Sequence, residues 1–336
     1  MNFSEFQVLR SRLLAERPSL RDFAETNLYR ALARLAPEPP PPTDGTVHRC
    51  HLASQWTALH GLPEETSRRA FVSCGVRDGL DTLFRHLSGK PCRLWLPSDN
   101  YPVYHELATA HGHRPKTFPT LPVERWPEDP PPADVEHEWL LITHPLKPRG
   151  RSLNATNIVD LADWLATDRR RRILLDTVYQ LETRFDDLTL RLLETEQTIV
   201  LHSLTKGWLH PRCFGVVLMP EQDAPDWMPV FRDKAPPQSH LATARHLMSR
   251  HADLPGNVAK ALGLAQERLF DAIRSLPCEA MPVDPTSYFV PVMGRWDALL
   301  DQGVLGLPAS VFGSPCDDLT LLSSLTFATD AQTNKP

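Results

Sequence analysis

Between residues 69 and 218 the chain alternates short apolar runs with helix-like stretches, and this rhythm limits its fold more than any other feature. Runs at 69–73, 93–96, 138–143, 172–176, 198–202 and 214–218 are too short for buried helices and are rich in Leu, Ile and Val. They lack the in–out alternation of a half-exposed strand, so each reads as a strand covered on both faces. Helical periodicity fills the gaps, through Leu80, Leu83 and Phe84, from Val103 to about His111, and from about Asn157 to Thr167. Strands that alternate with helices build a mostly parallel sheet between two helical layers, the α/β class.

The flanks differ. Residues 5–36 read as helical, broken at Pro18, and a further helix around Trp56 ends at Gly61. Proline-rich connectors lie at Pro37–Pro42 and Pro127–Pro132, compositions that favour stiff, extended chain. After Pro220 comes a helical region over about 238–275, then strand-like pieces near 287–290 and 319–322, which reads as a smaller α+β unit. The expected organisation is an arm and linker over 1–45, a large domain over 46–235 and a small domain over 236–336.

Composition excludes several classes. A net charge of −5 gives no reason to expect a nucleic-acid partner. The run Arg169–Arg172 reads as a helix end and loop, where cations suit the helix dipole. No segment nears the roughly 20 apolar residues of a membrane span, and the start has no signal-peptide pattern. The six cysteines show no C-x-x-C pair and the 14 histidines no ligand spacing. Reduced thiols, a cytoplasmic location and no metal site are the expectation.

Ligands of open α/β sheets sit at the carboxyl ends of the strands. There the chain places Gly75, Tyr101, His144 and Lys147, Asp176 and Tyr179, and Ser203 and Lys206. Ser73-Cys74-Gly75-Val76-Arg77 is a turn into a helix, where free backbone N–H groups bind anions. Pro97-Ser98-Asp99-Asn100-Tyr101-Pro102-Val103-Tyr104 offers an aromatic face at Tyr101, with Tyr104 read as core packing. Leu174-Leu175-Asp176-Thr177-Val178-Tyr179 and Leu201-His202-Ser203-Leu204-Thr205-Lys206 supply a carboxylate, a phenol and an amine.

In that order these segments resemble the motifs of the fold type I, pyridoxal-5′-phosphate (PLP)-dependent class I/II aminotransferases, over about residues 46–327. The resemblance implies that Lys206 holds PLP as a Schiff base and that Asp176 pairs with its pyridinium nitrogen. Tyr179 would bond its phenolic oxygen and Tyr101 would stack on its ring. Gly75, Val76, Arg77, Ser203 and Arg212 would hold the phosphate, although Arg212 follows Lys206 more closely than usual. The stretch His144-Pro145-Leu146-Lys147-Pro148-Arg149-Gly150 is similar to the family's N-P-x-N-P-T-G with both asparagines replaced, so Lys147 becomes a cofactor-binding candidate. Glu25-Thr26-Asn27-Leu28-Tyr29 loosely resembles the substrate loop of short members.

Two family features are missing. Leu321 stands where an arginine would clamp a substrate carboxylate, leaving Arg149, Arg151 and Arg295 as alternatives. No tyrosine lies in 44–52 to cross a dimer interface, where His48 or Arg49 is the substitute. The expected function is an aminotransferase acting on an amino acid or related amine, in specialised biosynthesis, as a homodimer. Decarboxylation, elimination or cyclisation on the same scaffold, or a non-catalytic relative, are the alternatives.

Overall fold

The computed structural model describes residues 1–38, 45–211, 213–234 and 236–330. Part of the first proline tract (Pro39–Pro42), Arg212 and the end of the chain from 331 therefore lie outside the described residues.

Seven strands form the central sheet, in the order Ala70–Ser73, Gly215–Leu218, Thr198–Ser203, Arg171–Asp176, His137–Thr143, Cys92–Pro97, Lys116–Phe118. Only Gly215–Leu218 runs against the others. The apolar runs are strands because both faces are covered. Leu94, Leu96, Trp139, Leu141, Leu174, Ile199, Leu201 and Val217 pack on one side with helices Val76–Leu87, Val103–Ala110 and Ala224–Arg232. Their neighbours Trp95, Leu140, Ile142, Ile173, Leu175, Val200 and Val216 face the other side, towards Ala155–Ala166 and Arg49–Leu59. Successive residues of one strand thus enter different cores, as a period of two requires.

The α/β expectation holds, with a strand (Lys116–Phe118) and a helix (Asp187–Glu194) that the sequence pattern did not reveal. The region 238–275 is two helices, Gln238–Arg250 and Leu254–Ile273. Beyond it, Leu307–Pro308, Leu319–Ser323, Phe289–Met293 and Glu279–Ala280 form an antiparallel sheet.

Two readings need correction. Residues 5–36 are not one broken helix. After Phe3–Glu16 the chain turns extended, because Arg21 and Asp22 pair in parallel with Val304 and Leu305. Phe23 continues the contact, donating to Leu305 O at 2.8 Å and accepting from Ser323 N at 2.7 Å. The arginine run is not only a solvated loop either. Arg171 opens a strand, is 3% exposed and donates to buried Glu138 at 2.9 Å.

The parallel strands all end at one edge of the sheet. That edge carries the residues singled out above.

Candidate functional site

A cavity of about 980 Å³ opens at the carboxyl edge. Its walls include Gly75, Val76, Arg77, Tyr101, Asp176, Tyr179, Ser203 and Lys206, brought together from four strand ends. Thr26, Asn27, Leu28 and Tyr29 close it from the N-terminal segment. Their loop is ordered by buried Glu25, which accepts from Thr26 N at 2.9 Å and Asn27 N at 2.7 Å and pairs with Arg10 at 3.2 Å.

The turn at Gly75 is built for close approach. Its φ of 140° lies where side-chain-bearing residues are strained. A methyl group on the facing Gly215 would stand 2.6 Å from Gly75 Cα, so the turn rests directly on the neighbouring strand. Helix Val76–Leu87 starts there with no side chain capping it. Its first backbone donors are thus left for a ligand. Ser203 lines the same end. Both glycines are needed because two backbones meet where an anion would sit.

Asp176 ends the central strand and is buried. Its Oδ2 accepts from the Tyr104 hydroxyl at 2.7 Å and its Oδ1 from Val178 N at 3.0 Å. Burial raises its pKa to about 6, against the opposing pull of those hydrogen bonds and of Lys206. Tyr104 is therefore more than the core residue expected, since it also orients this carboxylate.

Lys206 has no carboxylate bonded to it among the described residues. Its Nζ lies 5.1 Å from the Tyr29 ring centre and 5.2 Å from that of Tyr179. Burial lowers its pKa to about 8, with Asp176 pulling the other way. A quarter or so of such an amine is neutral near pH 7.5, and the neutral form is the nucleophile.

Lys147 is elsewhere. It is 3% exposed and lies outside the cavity lining, its Nζ 4.9 Å from the Tyr179 ring centre. His144 turns away, its Nε2 on Asp186 Oδ2 at 2.7 Å and its Nδ1 accepting from Leu153 N at 3.2 Å. Tyr288 was not foreseen. Its hydroxyl donates to Tyr179 Oη at 3.3 Å and lies 3.4 Å from Tyr101 Oη.

Leu321 is fully buried and paired with Pro291 and Leu307. Of the alternative arginines, Arg151 is held by Glu124 at 3.0 Å and Arg295 by Asp297 at 2.6 Å. Arg149 is buried, donating to Pro282 O at 2.8 Å. Arg49 is bonded within the chain, to Phe231 O at 3.2 Å and Arg232 O at 3.1 Å. A second cavity of about 590 Å³, walled by Arg69, Glu196 and Met228 among others, has no lysine, cysteine, serine or histidine in its lining.

The site therefore combines a carboxylate, a buried amine, a phenol, an aromatic face and an anion-binding turn. These fit PLP in kind: a cationic ring nitrogen, a carbonyl, a phenolic oxygen and a phosphate. Among the described residues no ion pair between site residues would have to break for PLP to enter. Among the described residues no group of His, Cys, Asp and Glu is placed to hold a metal ion, and no helix is long and apolar enough to cross a membrane.

Known proteins agree with this chemistry. The family model for aminotransferase class I and II matches residues 41–313. A search of the curated proteins found no match. Among solved structures, the Escherichia coli methionine aminotransferase YbdL is 16% identical, with 95% of each chain covered and a TM-score of 0.69. A Thermus thermophilus aspartate aminotransferase double mutant is 18% identical, covering 98% of this chain and 96% of its own, also at 0.69. A putative PLP-dependent β-cystathionase from Corynebacterium diphtheriae is 16% identical, covering 90% and 87%, at 0.65. At such identities the likeness speaks for the fold, and the family match adds the chemistry: the chain belongs to the class I and II aminotransferases, PLP-dependent transferases of fold type I.

Proposed function

We propose that the chain transfers amino groups from an amino acid or related amine, with Lys206 as the attachment point of PLP. One observation carries this reading: a buried amine without a bonded counter-ion and a buried carboxylate converge on one cavity around Tyr179. Bound PLP supplies an electron sink for the charge left when a bond at the amine-bearing carbon breaks.

The protein's own groups do the rest. Asp176 would provide a fixed negative charge to the ring nitrogen. Its pKa of about 6 leaves it ionised at neutral pH, and a cationic partner would lower it further. The Tyr179 hydroxyl would donate to the phenolic oxygen, and the Tyr101 ring would cover the pyridine face. Backbone N–H groups of Val76 and Arg77 would hold the phosphate with the Ser203 hydroxyl, and the resemblance adds Arg212. Lys206 Nζ would hold the cofactor's carbonyl carbon and would serve as the base that takes and returns the proton. Phe3, Leu28 and Tyr29 are the apolar wall that keeps water from that exchange. A homodimer in the cytoplasm, serving a biosynthetic route, completes the proposal.

A second reading has its own support. Leu321 at the clamp position is buried, and Arg151 and Arg295, two of the three alternatives, are already paired with carboxylates. This favours a substrate without a free α-carboxylate, or one that loses it, so decarboxylation or elimination is the rival. A panel of amines and amino acids with a 2-oxo acid, read by mass spectrometry, separates the two. Amino transfer yields one carbonyl product per newly aminated acceptor. Carbon dioxide or ammonia released without an aminated acceptor would overturn it.

A further inference from the structure

Tyr179 lines the cavity, and beside its ring the fold buries a second amine that does not. Lys147 Nζ lies 4.9 Å from the Tyr179 ring centre and 4.7 Å from that of Tyr288. Among the described residues its one polar neighbour within hydrogen-bonding range is Ser287 Oγ, at 3.5 Å. Asp284 attracts it from further away, but that carboxylate already accepts from Ser152 N at 2.5 Å and Ser152 Oγ at 2.7 Å. The charged and titratable groups around Lys147 are thus Tyr179, Tyr288, Asp284 and Lys206.

Tyr288 immediately precedes strand Phe289–Met293 of the antiparallel sheet and is 1% exposed. It does not line the cavity. By donating to Tyr179 Oη it fills an acceptor position, so the Tyr179 proton is not spent on Tyr288. A hydroxyl that accepts one hydrogen bond donates the next more strongly. A cation beside the same ring favours the anionic side of the phenol equilibrium, which strengthens the donor again.

We propose that Lys147 and Tyr288 are positioning residues that act through Tyr179, making its hydroxyl a stronger donor toward the cavity. The proposal rests on the reading that Tyr179 meets the phenolic oxygen of PLP. It also accounts for a lysine buried without a bonded carboxylate among the described residues, a costly arrangement unless its charge is used. Burial, with Lys206 acting in the same direction, lowers the Lys147 pKa to about 7. Its charge therefore fades as pH rises through neutrality, and its influence is largest on the acidic side.

The test uses the full-length protein loaded with PLP. The readout is the pH midpoint of the visible band in the parent and in Lys147→Met, Lys147→Arg and Tyr288→Phe. A stronger donor and a nearby cation stabilise the more anionic form of the bound cofactor, so the parent midpoint is low. Lys147→Met should keep the visible band and move the midpoint up by about one pH unit. Tyr288→Phe, which removes one oxygen, should move it the same way by less. Lys147→Arg should return it toward the parent. An unchanged midpoint in Tyr288→Phe overturns the proposal even where Lys147→Met does not fold. A parent protein with no visible band at all sinks the PLP reading itself, a result distinct from an unmoved midpoint.

Discussion

The two edges of the central sheet both bury charge, and they treat it in opposite ways. At the amino edge Glu138 is fully buried and fully matched. Its Oε1 accepts from Arg93 Nε at 2.5 Å and Trp95 Nε1 at 2.9 Å, and its Oε2 from Arg171 Nε at 2.9 Å. The guanidinium groups spend further donors on Asp129 O at 3.0 and 2.9 Å. At the carboxyl edge Lys206 and Lys147 have no bonded carboxylate among the described residues, and Asp176 is met by a phenol and a backbone N–H. Burial there pushes amines down and the acid up. Matched buried charge fastens strands together, whereas unmatched buried charge marks where something from outside completes the set.

Substitutions at each edge should separate the two kinds of charge. Asp176→Asn should lower kcat by about 10³-fold while PLP stays bound, as expected for the loss of an electrostatic partner to charge that develops in the reaction. The same change should stabilise the PLP-free protein. A carboxyl whose folded pKa is raised from 3.8 to about 6 favours folding below pH 4 and loses that contribution as pH climbs past 6. Denaturant titrations at pH 8 should therefore find the Asn variant more stable by roughly 3 kcal/mol, with the gap closing below pH 4. A less stable variant at pH 8 would break the comparison.

Glu138→Gln should do the reverse. It leaves two buried guanidinium groups without counter-charge, at a cost of about 3–5 kcal/mol in folding, with the visible spectrum of the folded fraction unaltered. A neutral effect on stability would mean that the amino edge is no fastening.

Tyr104→Phe sharpens the contrast with the smallest change. Without the 2.7 Å hydrogen bond the Asp176 pKa rises further and the carboxylate is less firmly aimed. A fall in kcat/KM of about tenfold follows, the worth of one hydrogen bond to a charged group. Equal rates for parent and variant would return Tyr104 to a packing role.

Much of the carboxyl edge was legible in the sequence because each residue there lies within a few positions of a strand end. Gly75, Tyr101, Asp176, Tyr179, Ser203 and Lys206 each follow an apolar run directly, and parallel strands bring such ends together. What escaped depends on distant partners. Tyr288 meets Tyr179 across 109 residues and Tyr104 meets Asp176 across 72, and no local pattern encodes either contact. The extended stretch around Arg21 looked helical because its partner, Val304–Leu305, lies at the far end of the chain. Lys147 was visible as a departure from a motif, but its side-chain direction was not. The arginine run misled for a related reason, since the carboxylate that buries Arg171 sits on another strand.

The claim at the centre is that the amine at position 206 is where PLP joins the chain. Borohydride treatment of the PLP-loaded protein, followed by peptide mapping, tests it most directly. The account predicts a stable pyridoxyl label on Lys206 that is absent in Lys206→Ala. A label confined to another lysine, with Lys206 unmodified, would contradict it.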